Sequence, residues 1–220
     1  MARLMGSRAV IFVSKNAVEW RVRVIAAEGA EVRVVDGSYD DAVAECARVS
    51  SAEGWQVVSD TGYPGYEEIP LRIVEGYRTI FEEFEEQRTA PPEVVIVQAG
   101  VGGLLCAAVQ HFDGYTKRPL LVSVEPEEAD CLLESISTPD GQPRAARGTL
   151  NSAMSCLNCG HVSSTAWPTI RAGVDLFLAV EDGYISPGDS GEAGMAGLLA
   201  FPDLLKERPV LLIKTEGGQR

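Results

Sequence analysis

Seven short apolar runs, most of them separated by segments with helical spacing, constrain the fold of this chain more than any other feature. The runs are rich in Val, Ile and Leu and cover residues 9–13, 31–35, 55–58, 94–98, 120–125, 176–180 and 210–214. Strands that alternate with helices form parallel sheets. Strands this apolar are typical of a sheet that is covered on both faces. The sequence therefore predicts an α/β protein with an open parallel sheet and helices on both faces.

Three of the helical segments have clear signals. Residues 16–28 and 66–88 place apolar side chains at helical spacing, and the second of these segments is strongly amphipathic. A further helix is predicted to begin after Ser38, whose hydroxyl can cap the first turn, and to stop at Gly54. The segment 137–152 carries prolines and glycines and is long for a loop in a compact domain, which is typical of functional loops.

Composition excludes several classes of function. The 220-residue chain has a net charge of −13 and no basic cluster, so we expect no nucleic-acid partner. The apolar runs are too short to cross a membrane, and the start of the chain lacks the apolar core of a signal peptide, so we predict a cytoplasmic protein. Cys156-x-x-Cys159 has a metal-like spacing, but the remaining cysteines and histidines are scattered, and we predict no metal site.

The segment "VVIVQAGVGGLLCAAV", residues 94–109, is the strongest local motif. An apolar strand leads into three glycines and then into a small-residue helix, and such a helix start is suited to binding an anion. A dinucleotide site would need a third glycine where Leu105 stands, although Glu125 could serve as its acidic residue. A phosphate cofactor such as pyridoxal phosphate, a dinucleotide, or a tight turn with no ligand all remain open from this motif alone.

Further motifs along the whole chain carry a family resemblance. They are "DTGYPGYEEIP" at 60–70, "VSVEPEEADC" at 122–131, "MSCLNCG" at 154–160, "GDSGEAG" at 188–194 and "IKTEGG" at 213–218. In this order they resemble the diaminopropionate ammonia-lyases. These are pyridoxal-phosphate enzymes of the tryptophan-synthase-β-like fold, also called fold-type II. They eliminate both amino groups of 2,3-diaminopropionate to give pyruvate and ammonia.

The resemblance implies roles for individual residues. It implies that the backbone of Ala99, Gly100, Val101, Gly102 and Gly103 holds the cofactor phosphate. Asp60 matches an aspartate that transfers the proton at the α-carbon of the substrate. Thr215 matches the position from which this fold offers a hydroxyl to the pyridine nitrogen. The resemblance further implies a small amino-acid substrate and a homodimer, and the short apolar runs predict no membrane partner.

The chain also departs from the family pattern. The lysine that binds the cofactor covalently in the family has no counterpart in a matching motif, because only Lys15, Lys117, Lys206 and Lys214 are present. The segments near 183–186 and 201–209 look short. We therefore expect an incomplete fold in which residues 1–54 form part of a small α/β domain and residues 55–220 form a large cofactor-binding domain. The chain would then correspond to an N-terminally truncated relative.

Three hypotheses about function follow. The first is a lyase, or the larger part of one, that lacks the covalent lysine. The second is a catalytically inactive relative that binds pyridoxal phosphate or an amino acid. The third is a nucleotide-binding oxidoreductase built on Gly100 and Glu125.

Overall fold

The computed structural model describes residues 2–185, 190–205 and 208–215. The chain divides into two compact units, Met1–Val57 and Val58–Arg220. Each unit is built around parallel strands, as the alternation of strands and helices predicts.

The first unit contains two strands and two helices. They are β1 (Val10–Ser14), α1 (Glu19–Ala27), β2 (Glu31–Val35) and α2 (Tyr39–Glu53). The two strands pair in parallel, with Val10 opposite Glu31. Helix α2 begins as predicted at Ser38, whose hydroxyl accepts a hydrogen bond from the amide of Asp41 at 3.2 Å. It ends at Gly54, which adopts a left-handed conformation with φ of +67°.

The second unit contains a four-stranded parallel sheet. Its elements are α3 (Glu68–Gln87), β3 (Val94–Gln98), α4 (Gly103–Phe112), β4 (Leu120–Pro126), α5 (Cys131–Ile136), α6 (Trp167–Gly173), β5 (Leu176–Val180), α7 (Ala193–Ala200), α8 (Pro202–Leu205) and β6 (Val210–Leu212). The strand order is β5-β4-β3-β6, and each pairing is parallel. The carboxyl ends of all four strands therefore lie at one edge of the sheet.

Two hydrophobic cores cover the two faces of this sheet. Val95 and Val97 of β3 point toward a core that includes side chains of α3, α4 and α6. Val94 and Ile96 point toward a second core that includes Ala193 of α7. Successive strand residues face opposite sides, so a strand that is buried on both faces must be apolar throughout. The prediction of a parallel sheet with helices on both faces is confirmed.

The strand predicted at residues 55–58 is wrong. These residues adopt neither strand nor helix, and the side chain of Val58 is 74% exposed. They run across the boundary between the two units, and they pair with none of the six described strands, so they lack the hydrogen bonds that a strand needs. Apolar composition by itself does not make a strand.

The helices predicted at 16–28 and 66–88 are confirmed with shorter bounds, as α1 and α3. The long loop after α5 contains no helix or strand from residue 137 to residue 154. Within the described ranges, the structure contains no helix that is long and apolar enough to span a membrane.

Candidate functional site

The glycine loop, residues 99–103, joins β3 to α4 at the carboxyl edge of the sheet. The amide of Ala99 still donates to the carbonyl of Val124 at 2.9 Å and so continues the sheet. Gly102 then takes a φ of +96° and is the N-cap of α4. The loop therefore turns the chain sharply from the strand into the helix.

The carbonyl groups and the amide groups of the glycine loop differ in their hydrogen bonds. The carbonyl of Val101 accepts from the amide of Ser163 at 2.9 Å, and the carbonyl of Gly102 accepts from the amide of Cys106 at 2.9 Å. By contrast, the amides of residues 100–103 donate to no described residue of the chain. Buried amides require a partner, and those at a helix start attract negative charge. This arrangement is suited to a phosphate group.

A side chain would be crowded at two glycines of the loop. A Cβ at Gly102 would lie 2.5 Å from Cδ1 of Ile170 in α6, and one at Gly100 would lie 3.0 Å from Sγ of Cys159. Gly102 is thus required both by its backbone conformation and by the packing of α6. Cys159 belongs to the segment 154–160, which places its own backbone against the loop.

A hydrogen bond between Gln98 and Thr215 lies at the same edge of the sheet. Gln98 is the last residue of β3, and Thr215 follows the neighbouring strand β6. Nε2 of Gln98 donates to Oγ1 of Thr215 at 2.9 Å. Gln98 is 4% exposed, and its Oε1 has no hydrogen-bond partner among the described residues. The sequence analysis singled out Thr215 but assigned no role to Gln98. A polar residue that ends an apolar strand could have marked Gln98 as a candidate site residue.

Asp60 lies in the segment that leads into α3. It is half-buried, and burial together with the negative charge of Asp60 raises the pKa of Tyr77. The ring of Tyr77 in turn lies 3.4 Å from the position that a Cβ at Gly103 would occupy. The structure therefore brings Asp60, Tyr77 and the start of α4 into one neighbourhood.

Ser163 ties the Asp60 segment to the glycine loop. Its hydroxyl accepts from the amide of Gly62 at 2.7 Å, while its own amide donates to Val101. The carbonyl of Gly62 also accepts from the amide of Ser164 at 2.9 Å. The side chain of Ser163 is fully buried. Sequence reasoning missed Ser163, because nothing in the local pattern marks a serine that bridges two distant segments.

Glu125 is a buried carboxyl group close to the glycine loop. It accepts from the amides of Leu132 at 2.8 Å and of Leu133 at 2.9 Å, while Sγ of the adjacent Cys131 donates to the carbonyl of Gly100 at 3.6 Å. Burial raises the pKa of Glu125 to about 8, although the two amides favour the charged form. These two hydrogen bonds join the end of β4 to the start of α5.

Some predicted residues fall outside this description. The motif at 188–194 begins in residues 186–189, and the motif at 213–218 ends in residues 216–220, both outside the described ranges. Within the described part, Ser190 accepts from the amide of Cys156 at 2.9 Å. No group of three His, Cys, Asp or Glu side chains in the described ranges is placed to hold a metal ion.

The described lysines each pair with a carboxylate. Lys15 contacts Asp36 at 2.8 Å in the first unit, and Lys117 lies 3.6 Å from Glu93. Lys214 contacts Glu192. Lys206 lies outside the described residues.

Comparison with known proteins identifies similar sequences over nearly the whole chain. The family model described as "Pyridoxal-phosphate dependent enzyme" matches residues 1–216. The diaminopropionate ammonia-lyase of Salmonella typhimurium is 32% identical over 252 aligned positions, which cover 98% of this chain and 62% of that enzyme. The enzyme of Escherichia coli K12 is 31% identical over 250 positions, with the same coverage. The chain thus spans 62% of the length of these curated relatives. Because the alignments are longer than this chain, the relatives carry additional residues within the matched region.

Solved structures show the same fold. Diaminopropionate ammonia-lyase from Escherichia coli, in complex with an aminoacrylate-PLP azomethine reaction intermediate, superposes with a TM-score of 0.86 at 30% identity, covering 98% of this chain and 63% of that one. Maize serine racemase superposes with a TM-score of 0.77 at 20% identity, covering 99% of this chain and 68% of its own. This second likeness concerns the fold alone.

Proposed function

Because the chain belongs to the family of pyridoxal-phosphate dependent enzymes, we propose that it is a carbon–nitrogen lyase of the diaminopropionate ammonia-lyase type. Its substrate would be 2,3-diaminopropionate, and α,β-elimination would give pyruvate and ammonia. The similarity to the Salmonella and Escherichia enzymes supports this choice of substrate. Family membership leaves the dinucleotide-binding oxidoreductase without support.

The observation that carries the proposal is that the amides of the glycine loop, residues 100–103, donate to no residue in the described part of the chain. The carbonyls of Val101 and Gly102 accept hydrogen bonds from other backbone amides, whereas the loop's own amides remain available to an anion. These residues fit the phosphate of the cofactor, which would be held by the backbone and the positive end of α4. When bound, pyridoxal phosphate stabilises the negative charge that develops at the α-carbon of an amino acid.

Two side chains would act beside the phosphate site. We assign proton transfer at the α-carbon to Asp60, whose segment is held against the glycine loop by Ser163. We assign the contact with the pyridine nitrogen to Thr215, at the carboxyl edge of the sheet next to Gln98. Both assignments rest on the family resemblance and on the placement of these residues around one loop.

A second candidate function is a binding protein without turnover. Each described lysine pairs with a carboxylate, namely Asp36, Glu93 or Glu192, and none stands in a motif like that of the family lysine. A chain that lacks the covalent lysine would hold pyridoxal phosphate reversibly, or bind an amino acid, without completing the elimination.

One experiment separates the two candidates. The protein is incubated with pyridoxal phosphate, reduced with borohydride and digested, and pyridoxyl peptides are located by mass spectrometry. A single stoichiometric adduct on Lys214 or on another lysine except Lys117, together with pyruvate formation from 2,3-diaminopropionate, supports the lyase. Reversible binding of the cofactor without a specific adduct supports the binding protein. The absence of any binding contradicts both.

Lys117 supplies an internal control for this experiment. It is highly exposed and lies at the amino-terminal side of β4, at the far end of the sheet from the glycine loop. An adduct on Lys117 therefore reports nonspecific modification. A Lys117→Arg variant should leave any specific adduct unchanged.

We also propose a cytoplasmic homodimer with a role in amino-acid catabolism, on the family resemblance. The absence of a basic cluster argues against nucleic-acid partners. Sedimentation equilibrium tests the oligomeric state, and a monomer at micromolar concentration would contradict the dimer.

A further inference from the structure

We infer that Gln98 is a positioning residue that turns the hydroxyl of Thr215 into a hydrogen-bond donor toward the cofactor ring. This inference rests on the proposed function, because it needs pyridoxal phosphate in the glycine loop and Thr215 at the pyridine nitrogen. According to this inference, the buried Gln98 determines whether the pyridine nitrogen accepts or donates a hydrogen bond.

The position of Gln98 places its amide between α7 and Thr215. Even-numbered side chains of β3 face the core that contains α7, and Gln98 is the last of them. The side chain is 96% buried, since its exposed fraction is 4%. Its Nε2 reaches Oγ1 of Thr215 at 2.9 Å. No rotation into solvent competes with this contact.

The environment of Oε1 favours this orientation of the amide. Oε1 lies 3.7 Å from the Cβ position at Gly194, the second residue of α7. The first turn of a helix carries the positive end of the helix dipole. The dipole stabilises the negative end of a carbonyl group there and disfavours the positive hydrogens of an NH₂ group. The oxygen therefore lies toward α7, and the NH₂ group lies toward Thr215.

The direction of the Thr215 proton follows from this orientation. A hydroxyl has one proton to donate and two lone pairs to accept with. Gln98 already donates to Oγ1, so the proton of Thr215 is free to be donated to another acceptor. A pyridine nitrogen accepts a hydrogen bond only when it carries no proton. Gln98, acting through Thr215, thus favours the unprotonated ring.

Gly194 of α7 and Leu212 of β6 lie on either side of the Gln98 side chain. A Cβ at Gly194 would lie 3.7 Å from Oε1 of Gln98 and 3.6 Å from Cδ2 of Leu212. The side chain of Gln98 is therefore packed between α7 and β6. Because the side chain of Gln98 is almost fully buried, variants at position 98 must preserve its shape.

The test compares Gln98→Glu with the parent protein. Glutamate has the same shape, but its carboxylate only accepts hydrogen bonds, so Thr215 would donate to it and offer lone pairs to the ring. The ring nitrogen is monitored by the ¹⁵N chemical shift of labelled pyridoxal phosphate bound to each protein, titrated from about pH 6 to about pH 10 so that a buried carboxyl ionises within the range. We expect the pH of half-protonation of the nitrogen to rise by at least about one unit, a tenfold change in its proton affinity.

Two further variants keep the result interpretable. Gln98→Met fills the same space without hydrogen bonds and should give a value between those of the parent and Gln98→Glu. Thr215→Val removes the hydroxyl and should also shift the nitrogen signal. If Thr215→Val moves the signal but neither change at position 98 does, the inference is overturned and the proposed function stands. If the parent protein binds no pyridoxal phosphate, the proposed function fails, and the inference fails with it.

Discussion

At the scale of single residues, the site depends on a glycine that has no side chain and on an aspartate that carries a negative charge. Gly102 allows both a positive φ and the close approach of Ile170. Its Cβ would point toward α6, so a larger residue would act on the loop through packing and backbone strain. Such a residue would therefore weaken cofactor binding by distorting the loop, and not by occupying the space of the phosphate. Asp60, in contrast, contributes its charge to a neighbourhood that includes Tyr77.

We expect Gly102→Val to lose pyridoxal-phosphate binding by more than tenfold. A β-branched residue at φ of +96° is strained by about 1–2 kcal/mol, and the contact with Ile170 adds to this cost. Fluorescence titration measures the affinity, and urea unfolding measures the stability. Gly114→Val is the matched control, since a Cβ at Gly114 meets no atom within 4 Å. Parental affinity in Gly102→Val would mean that this loop does not hold the phosphate.

We expect Asp60→Asn to slow exchange of the substrate α-hydrogen in D₂O by about 10²–10⁴-fold, because a positioned acid–base group contributes this much. NMR of 2,3-diaminopropionate with protein and pyridoxal phosphate follows the exchange. Cofactor affinity should change little. Asp113→Asn, an exposed change at the opposite end of α4, is the control.

The same Asp60→Asn variant has a readout that does not depend on turnover. Removing the negative charge should lower the pKa of Tyr77, which that charge helps to raise. Ultraviolet difference titration of the tyrosines measures this change. An unchanged titration would show that Asp60 and Tyr77 are not neighbours in solution.

At the scale of elements, the site is assembled by segments that are distant in sequence. Ser163 precedes α6, Gly62 precedes α3, and the glycine loop precedes α4. The hydrogen bond from Gly62 to Ser163 joins residues 101 positions apart. The starts of these three helices are thus held together by one buried serine.

We expect Ser163→Ala to destabilise the second unit by about 1–3 kcal/mol, because the buried amide of Gly62 loses its acceptor. Cofactor binding should be largely retained, since the backbone bond to Val101 remains. Exchange of the α-hydrogen should fall, because the Asp60 segment is less firmly held. Ser164→Ala is the matched control, since that side chain is exposed. A variant with weak cofactor binding and normal exchange would contradict this role for Ser163.

At the scale of the whole molecule, all described residues of the candidate site lie in the second unit, Val58–Arg220. The first unit contributes its own parallel pair, β1 and β2. Within the second unit, Glu125 links the carboxyl end of β4 to the start of α5 through its two amide contacts. The ionisation of this one group affects the stability of the whole unit.

Stability of the second unit should fall as the pH rises from about 4.5 to about 8. The pKa of Glu125 is raised by burial from 4.5 to about 8, so the folded state binds the proton more tightly than the unfolded state. The resulting stabilisation is fully present below the unfolded pKa and is lost as the pH passes through the folded value. Its size is of the order of a few kcal/mol.

Comparison of Glu125→Gln with the parent isolates this effect. Urea unfolding at several values between about pH 5 and about pH 8 should show the parent losing stability relative to the variant. Glu127→Gln, an exposed change two residues along the chain, should follow the parent. Parallel curves for the parent and Glu125→Gln would show that Glu125 does not titrate in this range.

Local patterns in the sequence were enough to predict the class of fold and most of the elements. A continuous apolar run located β3, and the Ser38 and Gly54 signals located both ends of α2. The glycine pattern located the loop at 99–103. The strand predicted at 55–58 was wrong, because a strand also needs a partner and the pattern does not report one.

Contacts between residues that are far apart in the sequence, by contrast, became visible only in the folded protein. Gln98 and Thr215 are 117 positions apart, and their hydrogen bond exists because β3 and β6 are neighbours in the sheet. Glu125 is an ordinary glutamate in the sequence and a buried one in the fold, since burial depends on α5 covering the end of β4. Contacts of this kind follow from strand order and from the packing of helices on the sheet, and these are properties of the whole unit that no short stretch of residues encodes.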